Sequence, residues 1–147
     1  MNFEKFLKLE AYDFKERTLE EIWGYSDNEI NHTHDFIQIV FPLNKPSNSS
    51  FHGYYLDDAL LIENIKGNKV ISQNLIKSSQ WFLSFLKRNQ DWRNPSNHNQ
   101  LRITRVIECL RLLVSDEMAD KFYQDVLQVL GDDSHINKRT LAFWKNA

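Results

Sequence analysis

The sequence predicts an all-α fold, a compact single-domain bundle of about six to seven helices over residues 1–147. Three observations support this fold class. Glycine and proline contribute only 4 and 3 residues, and this scarcity of turn-forming residues favours long helices over many short strands. Helix-capping patterns recur along the chain, and apolar residues between them repeat at helical spacing. A length of 147 residues suits one ordinary domain with a single core.

Composition and charge argue against several classes of protein. The apolar and charged fractions, 41% and 26%, are ordinary for a soluble globular domain, and the net charge of −2 provides no basic excess for nucleic-acid binding. Cys109 is the single cysteine and cannot form an internal disulfide, which fits a reducing compartment. The N-terminus does not have the pattern of a signal peptide, and no apolar run approaches the roughly 20 residues of a membrane span. We therefore predict a cytoplasmic protein without a membrane-spanning segment.

Two capping boxes predict helices in the first third of the chain. Residues 18–21 and 26–29 each place a hydroxyl at the N-cap and a glutamate three positions later. The second box predicts a helix that continues through residues 32–41. This helix is expected to stop before Pro42, because proline disfavours helical geometry in the residue that precedes it. A loop is predicted over residues 44–55.

Caps and helix-ending residues predict the remaining elements. They are a short helix capped by Asp57 or Asp58 and ending near Gly67, a helix after a Ser72 cap that runs to residue 88, a loop over 89–99, a helix over 100–113, a helix after Ser115, and a last short helix over 137–145. The helix after Ser115 has two acids in its first turn, where they suit the helix dipole, and Gly131 ends it. Its apolar residues fill one half of the helical wheel, which predicts one face on the core.

The helix predicted over residues 100–113 carries arginines within its apolar side. Arg102 and Arg105 lie between leucine positions, away from the polar strip of the same helix. His98 joins them at i, i+4, i+7 spacing if the helix starts early. An unpaired buried charge is very costly, so these side chains should be paired or should line a cleft.

The helix predicted to end before Pro42 has a similar polar stripe, in which Gln38 lies one turn beyond His34. Two such stripes in one small domain are best accommodated against each other, where donors find acceptors. We therefore expect the two stripes to face each other across a helix–helix interface, with Asp35 as a candidate charge partner. The candidate ligand-binding cluster is His34, Asp35, Gln38, His98, Arg102 and Arg105.

Metal and catalytic patterns are weak in this sequence. His32 and His34 would point about 200° apart on a helix, and no cysteine or glutamate at ligand spacing completes a zinc set. Glycine-rich phosphate loops and hydrolase or metalloprotease motifs are missing. Cys109 is most simply a small core residue. We expect no metal, no cofactor and no assigned catalytic residue.

Two segments carry a family resemblance. The segment HDFIQIVFPL, residues 34–43, and the segment NQLRITR, residues 99–105, resemble the two signature segments in the N-terminal domain of the opioid growth factor receptor family. Asp13 and Arg17, followed by TLEEIW, and the final TLAFWKNA match further segments, so the resemblance spans nearly the whole chain. The chain is similar to the short, bacterial-type single-domain members.

The resemblance implies an all-α domain over residues 1–147. In animals the family name denotes a receptor for an enkephalin-type peptide, without the architecture of membrane receptors, so the resemblance implies peptide binding and receptor activity for this chain. The sequence departs from the family pattern at three single positions and in one segment, SFLKR at residues 84–88, where Phe-Tyr-Gly is usual. Ile39 stands where tryptophan is usual, Glu16 where glycine is usual, and Asn31 where glutamate is common.

Three hypotheses of function follow. The first is a non-enzymatic binding module for a peptide, a protein or a small anionic ligand, with Arg102 and Arg105 in a partly open cleft suited to carboxylates. The second is a structural interaction domain, in which the same polar residues form a closed network that fixes helix register. The third is a small enzyme with His34 or His98 as acid or base and the arginines as anion stabilisers. The oligomeric state is left open.

Overall fold

A computed structural model describes residues 1–47, 53–132 and 135–147. Within these ranges every regular element is helical, which confirms the predicted all-α class. The elements are α1 (Phe3–Leu7), α2 (Leu19–Trp23), α3 (Asp27–His32), α4 (Ile37–Val40), α5 (Ala59–Lys66), α6 (Lys69–Arg88), a 3₁₀ helix (Gln90–Arg93), α7 (Asn99–Leu113), α8 (Asp116–Leu130) and α9 (Lys138–Asn146). Residues 48–52, inside the loop predicted over 44–55, lie outside the described ranges.

The nine α-helices of the described ranges exceed the six to seven predicted for two reasons: the expected helix before Pro42 is divided in two, and α1 was not predicted. The Ser26 capping box forms as predicted and starts α3. The prediction of continuity is wrong, since Thr33 is extended, with φ −91° and ψ 125°, and ends this helix after six residues. A separate helix, α4, begins four residues later and contains only four residues. Residues 33–36 are therefore not helical, and their side chains do not follow the spacing of a helix.

Other helix ends agree with the predicted caps, with one correction. Asp58 caps α5, Ser115 caps α8, and Gly131 ends α8 with a φ of +64°. The predicted Ser72 cap is wrong, because Asn68 accepts a 3.1 Å hydrogen bond from the Ile71 amide and starts α6 one turn earlier. Asparagine is as good an N-cap as serine, so the earlier cap lengthens the helix to 20 residues.

One continuous core lies between α6, α7 and α8. α7 packs against α8 along most of its length and also contacts α5, α6 and α9. The predicted apolar face of α8 is buried through Ala119, Phe122, Val126 and Leu130. Burying an aliphatic or aromatic side chain of this size stabilises the fold by about 1.5–3 kcal/mol. No helix in the described part of the chain combines the length and apolar character needed to cross a membrane.

Polar contacts to the backbone anchor the start of α7. The Gln100 side-chain amide donates to the carbonyls of Trp92 and Asn94 at 2.9 and 2.7 Å. Trp144 on α9 donates its indole N–H to the Gln100 carbonyl at 3.0 Å. These contacts hold the 3₁₀ segment, α9 and the first turn of α7 together.

A tight loop ahead of α2 contains a strained residue. The Asp13 amide donates to the Arg17 carbonyl at 2.8 Å, and Asp13 Oδ1 accepts from the amides of Lys15 and Arg17, each at 2.9 Å. Glu16, inside this loop, has a φ of +60°. The left-handed conformation costs a residue with a Cβ atom roughly 1–2 kcal/mol.

We expect Glu16→Gly to stabilise the protein by about 0.5–1 kcal/mol, since relief of this strain exceeds the extra unfolded-state entropy of glycine. The midpoint of urea denaturation should rise without a change in slope. Glu20→Gly is the matched control, because Glu20 lies in α2 with helical geometry and the same change should be destabilising there. A lower midpoint for Glu16→Gly would contradict the strain argument.

Candidate functional site

A cleft of about 440 Å³ separates α7 from the segment of residues 34–47. The two walls run in the same direction. At one end the rings of His34 and His98 lie 5.4 Å apart between centroids. At the other end Lys45 forms a 2.8 Å ion pair with Glu108. Such a volume falls in the range of sites that bind small molecules or short peptide segments.

Five of the six residues in the candidate cluster lie together in the lining of this cleft. They are His34, Gln38, His98, Arg102 and Arg105. These residues do not meet across the predicted helix–helix interface, because His34 follows the end of α3 and is not on a helix. The lining also contains apolar side chains, among them Ile37, Leu43 and Leu101. The cleft is therefore a mixed surface, with cationic and apolar parts.

Arg102 joins α7 to the end of α3. Its guanidinium donates from Nη1 to the Ile30 carbonyl at 2.7 Å and to Asn99 Oδ1 at 3.2 Å, and from Nη2 to the Thr33 carbonyl at 2.6 Å. The guanidinium also lies 5.0 Å from the centre of the Phe36 ring. The terminal carbonyls of a helix lack partners within the helix, so Arg102 supplies a cap to α3 from a distant part of the chain.

Two neighbours of Arg102 complete the same junction. The His98 ring nitrogen Nε2 lies 2.9 Å from the Asn31 carbonyl oxygen, as a donor to it. The Asn99 side-chain amide donates to Asn31 Oδ1 at 3.0 Å. Burial, together with the nearby charge of Arg102, lowers the pKa of His98, so the ring is neutral at pH 7. His98 therefore serves the junction as a hydrogen-bond donor and adds no charge to the cleft at this pH.

Arg105 has a different environment from Arg102, although both lie on α7. Its guanidinium donates one 3.1 Å hydrogen bond, to the Phe41 carbonyl. The nearest turn of α7 carries Glu108, whose carboxylate is paired with Lys45. Among the described residues no carboxylate forms an ion pair with Arg102 or Arg105. In the described part of the chain both arginines thus lack a carboxylate in direct contact, and Arg105 has only the more distant attraction of Glu108.

Burial acts on the ionisation of both arginines. Removal from water lowers the pKa of Arg102 to about 10 and lowers that of Arg105 as well. Both side chains stay charged at pH 7, in an environment that stabilises the charge less than water does. An anion that entered the cleft would restore this lost stabilisation, so the electrostatics of the wall favour anionic ligands.

Asp35 is the one member of the candidate cluster that lies away from the cleft. Its carboxylate accepts a 2.7 Å hydrogen bond from Arg17 Nη1 and forms an ion pair with Lys15. Because α3 ends at Thr33, Asp35 lies in the non-helical segment between α3 and α4, where it contacts the loop ahead of α2. The predicted pairing of Asp35 with the arginines of α7 is replaced by a pairing with the loop ahead of α2.

Arg17 is the residue that the sequence reasoning missed as an electrostatic centre. It binds Asp13 through Nε at 2.7 Å and Nη2 at 2.7 Å, and Asp35 through Nη1. Burial alone would raise the pKa of Asp35, but hydrogen bonds from Lys15 and Arg17 outweigh it and lower the pKa. The i, i+4 spacing of Asp13 and Arg17 was a visible signal, whereas the contact with Asp35 spans 18 residues.

No group of three or more histidine, cysteine or acidic side chains suited to a metal occurs among the described residues. Cys109 is fully buried in α7, and burial raises the pKa of its thiol well above the ordinary value. A protonated, inaccessible thiol is a poor nucleophile, and Cys109 packs as a core residue.

Comparison with known proteins agrees with the resemblance carried by the two signature segments. Neither a curated protein nor a solved structure matches the chain. The family model described as the opioid growth factor receptor (OGFr) conserved region matches residues 3–144. This match covers nearly the whole chain, including both walls of the cleft, and the chain therefore belongs to the OGFr conserved-region family.

Proposed function

We propose that this protein is a non-enzymatic binding module that holds an anionic group of a peptide or protein in the cleft between α7 and residues 34–47. The observation that carries the proposal is the burial of Arg105 together with its small number of hydrogen bonds. This guanidinium lines the cleft, is largely removed from water, and makes one hydrogen bond, to a backbone carbonyl. Arginine binds carboxylates and related anions bidentately, which suits it to this role.

The two arginines support different hypotheses: the contacts of Arg102 support a structural role, and those of Arg105 support a binding role. Arg102 uses three of its five N–H groups to join α7 to α3, and its role is chiefly to hold one wall of the cleft in place. Arg105 uses one, and most of its donors are left for a ligand. The peptide-binding role implied by the family resemblance supports a peptide or protein as the carrier of the anion.

The enzymatic hypothesis receives less support from the same geometry. A catalytic histidine needs a ring nitrogen that can reach the reacting group. His98 directs Nε2 to the Asn31 carbonyl, which gives the ring a positioning role at the helix junction. His34 is exposed at the end of the cleft, and its ring contacts that of His98. Hydrogen-bonded arginines and a positioned histidine fit recognition of a charge better than proton transfer.

The proposal is tested with peptide arrays in which every peptide containing Asp or Glu has a partner containing Asn or Gln instead. We expect the wild-type protein to retain acidic peptides over their amide partners. Arg105→Gln should weaken the affinity for the retained peptides at least tenfold in fluorescence polarisation, because it removes the charge of the guanidinium. Arg111→Gln, on the same helix but outside the cleft, is the matched control and should bind as the wild type does. Equal retention of acidic and amide peptides would contradict the proposal.

A further inference from the structure

The charge of the cleft is larger than one carboxylate can neutralise. Lys45 and Glu108 cancel each other in an ion pair at one end. His98 is kept neutral by burial at the other end. Between them Arg102 and Arg105 contribute two positive charges that no carboxylate contacts among the described residues. Glu108 attracts Arg105 from a distance, but its charge is already balanced by Lys45. A ligand that compensates both arginines must therefore carry roughly two negative charges close together.

The supply of hydrogen-bond donors points to the same kind of ligand. Four of the ten N–H groups of the two guanidiniums are used within the described protein, three by Arg102 and one by Arg105. A carboxylate offers two oxygens to the remainder, whereas a phosphate monoester offers three and carries about −1.5 to −2 charges at pH 7. The phosphoryl group matches both the charge and the donors of the wall.

The size and rim of the cleft bear on what carries the phosphoryl group. The volume of about 440 Å³ resembles that of sites which enclose whole small molecules, so a phosphoryl group alone would fill a minor part of it. Leu101 lies on the rim, one helical turn from Arg105, and is 75% exposed. Ile37 and Leu43 supply apolar surface on the opposite wall. Residues that flank a phosphorylated side chain would cover this surface.

We infer that the anionic group bound in this cleft is a phosphate monoester on a peptide or protein segment, with an apolar residue beside it that packs on Leu101. The inference rests on the proposed function and makes it more specific. Arg105 binds the phosphoryl oxygens directly. Arg102 adds its charge and its remaining donors while it holds α3 in place.

The test uses three degenerate peptide pools of the form X-X-Z-Leu-X, in which Z is phosphoserine, glutamate or serine. We expect the phosphoserine pool to bind the wild-type protein at least tenfold more tightly than the glutamate pool, measured by calorimetry at constant ionic strength. The serine pool should bind most weakly. Replacing Leu101 by serine should weaken the phosphoserine pool severalfold, because the apolar contact is lost while the arginines are unchanged.

Matched variants separate the arginine geometry from general charge. Arg105→Lys keeps the charge but removes bidentate donation, and it should weaken the phosphoserine pool at least tenfold. Arg111→Lys makes the same change outside the cleft and should leave the affinity unaltered. Melting temperatures of both variants within about 3–4 °C of the wild type would show that the fold is retained.

Three outcomes would overturn the inference, and they differ in what they leave standing. Glutamate peptides that bind as tightly as phosphoserine peptides would restore a carboxylate ligand and leave the proposed function intact. Inorganic phosphate or phosphoinositide vesicles that match the affinity of the phosphoserine pool would assign the site to an anion not carried on a peptide. The absence of binding by any pool at millimolar concentration would end both the inference and the proposed function.

Discussion

Arg17→Ala is expected to lower the free energy of unfolding by about 3–5 kcal/mol, the range seen when one partner of a buried ion pair is removed. The side chains of Asp13 and Asp35 are 0% and 7% exposed, so two buried carboxylates would lose their main cationic partner. A domain of this size is stabilised by only about 5–15 kcal/mol in total. Urea denaturation at pH 7, followed by circular dichroism, measures the loss.

The pH dependence of this loss provides a second readout. The folded-state pKa of Asp35 lies below its ordinary value of about 3.9, so its ionised pairing stabilises the protein above that pH and is lost as the pH falls through the folded-state pKa. The gap between wild type and Arg17→Ala should therefore narrow on acidification below about pH 4.

Arg88→Ala is the control for this prediction. It breaks an exposed ion pair with Asp27, which should cost at most about 1 kcal/mol. Equal losses for Arg17→Ala and Arg88→Ala would contradict the role given to the Arg17 network.

Arg102→Ala is expected to destabilise the protein by about 3–5 kcal/mol, because hydrogen bonds from a charged group contribute roughly 1.5–3 kcal/mol each and the carbonyls of Ile30 and Thr33 lose a buried partner. Arg105→Ala removes one such bond and should cost about 1.5–2 kcal/mol. Thermal and urea denaturation of the two variants, measured side by side, give the difference. A larger loss for Arg105→Ala would reverse the division between structural and ligand-binding arginines.

The elements that sequence reasoning found were those defined by neighbouring residues. The capping boxes at Thr18 and Ser26, the Ser115 cap and the Gly131 terminus all form where the pattern placed them. Each depends on hydrogen bonds between residues three or four positions apart, or on the conformational freedom of a glycine, and local sequence contains that information. The Asn68 cap was missed because Ser72 offered an equivalent local pattern one turn later.

The errors arose where distant residues decide the conformation. Local sequence allowed a helix from Ser26 to Pro42, yet the chain turns at Thr33, where its carbonyl accepts from Arg102. Asp35 turns with it and reaches Arg17. Nothing in the spacing of residues 32–41 shows that an arginine far along the chain will cap α3 there. The stripe of His98, Arg102 and Arg105 was visible from the sequence because all three positions belong to one helix.

The junction between α3 and α7 has a consequence for how the protein folds. Its hydrogen bonds join residues that are 67 to 72 positions apart, with α5 and α6 in the intervening chain. Contacts between residues so far apart in sequence form only after a long loop has closed. Closing this loop has an entropic cost that the formation of a local helix does not have. We therefore expect the cleft to form late in folding. A chain released before α7 is synthesised contains one signature segment, but it lacks the wall that carries both arginines.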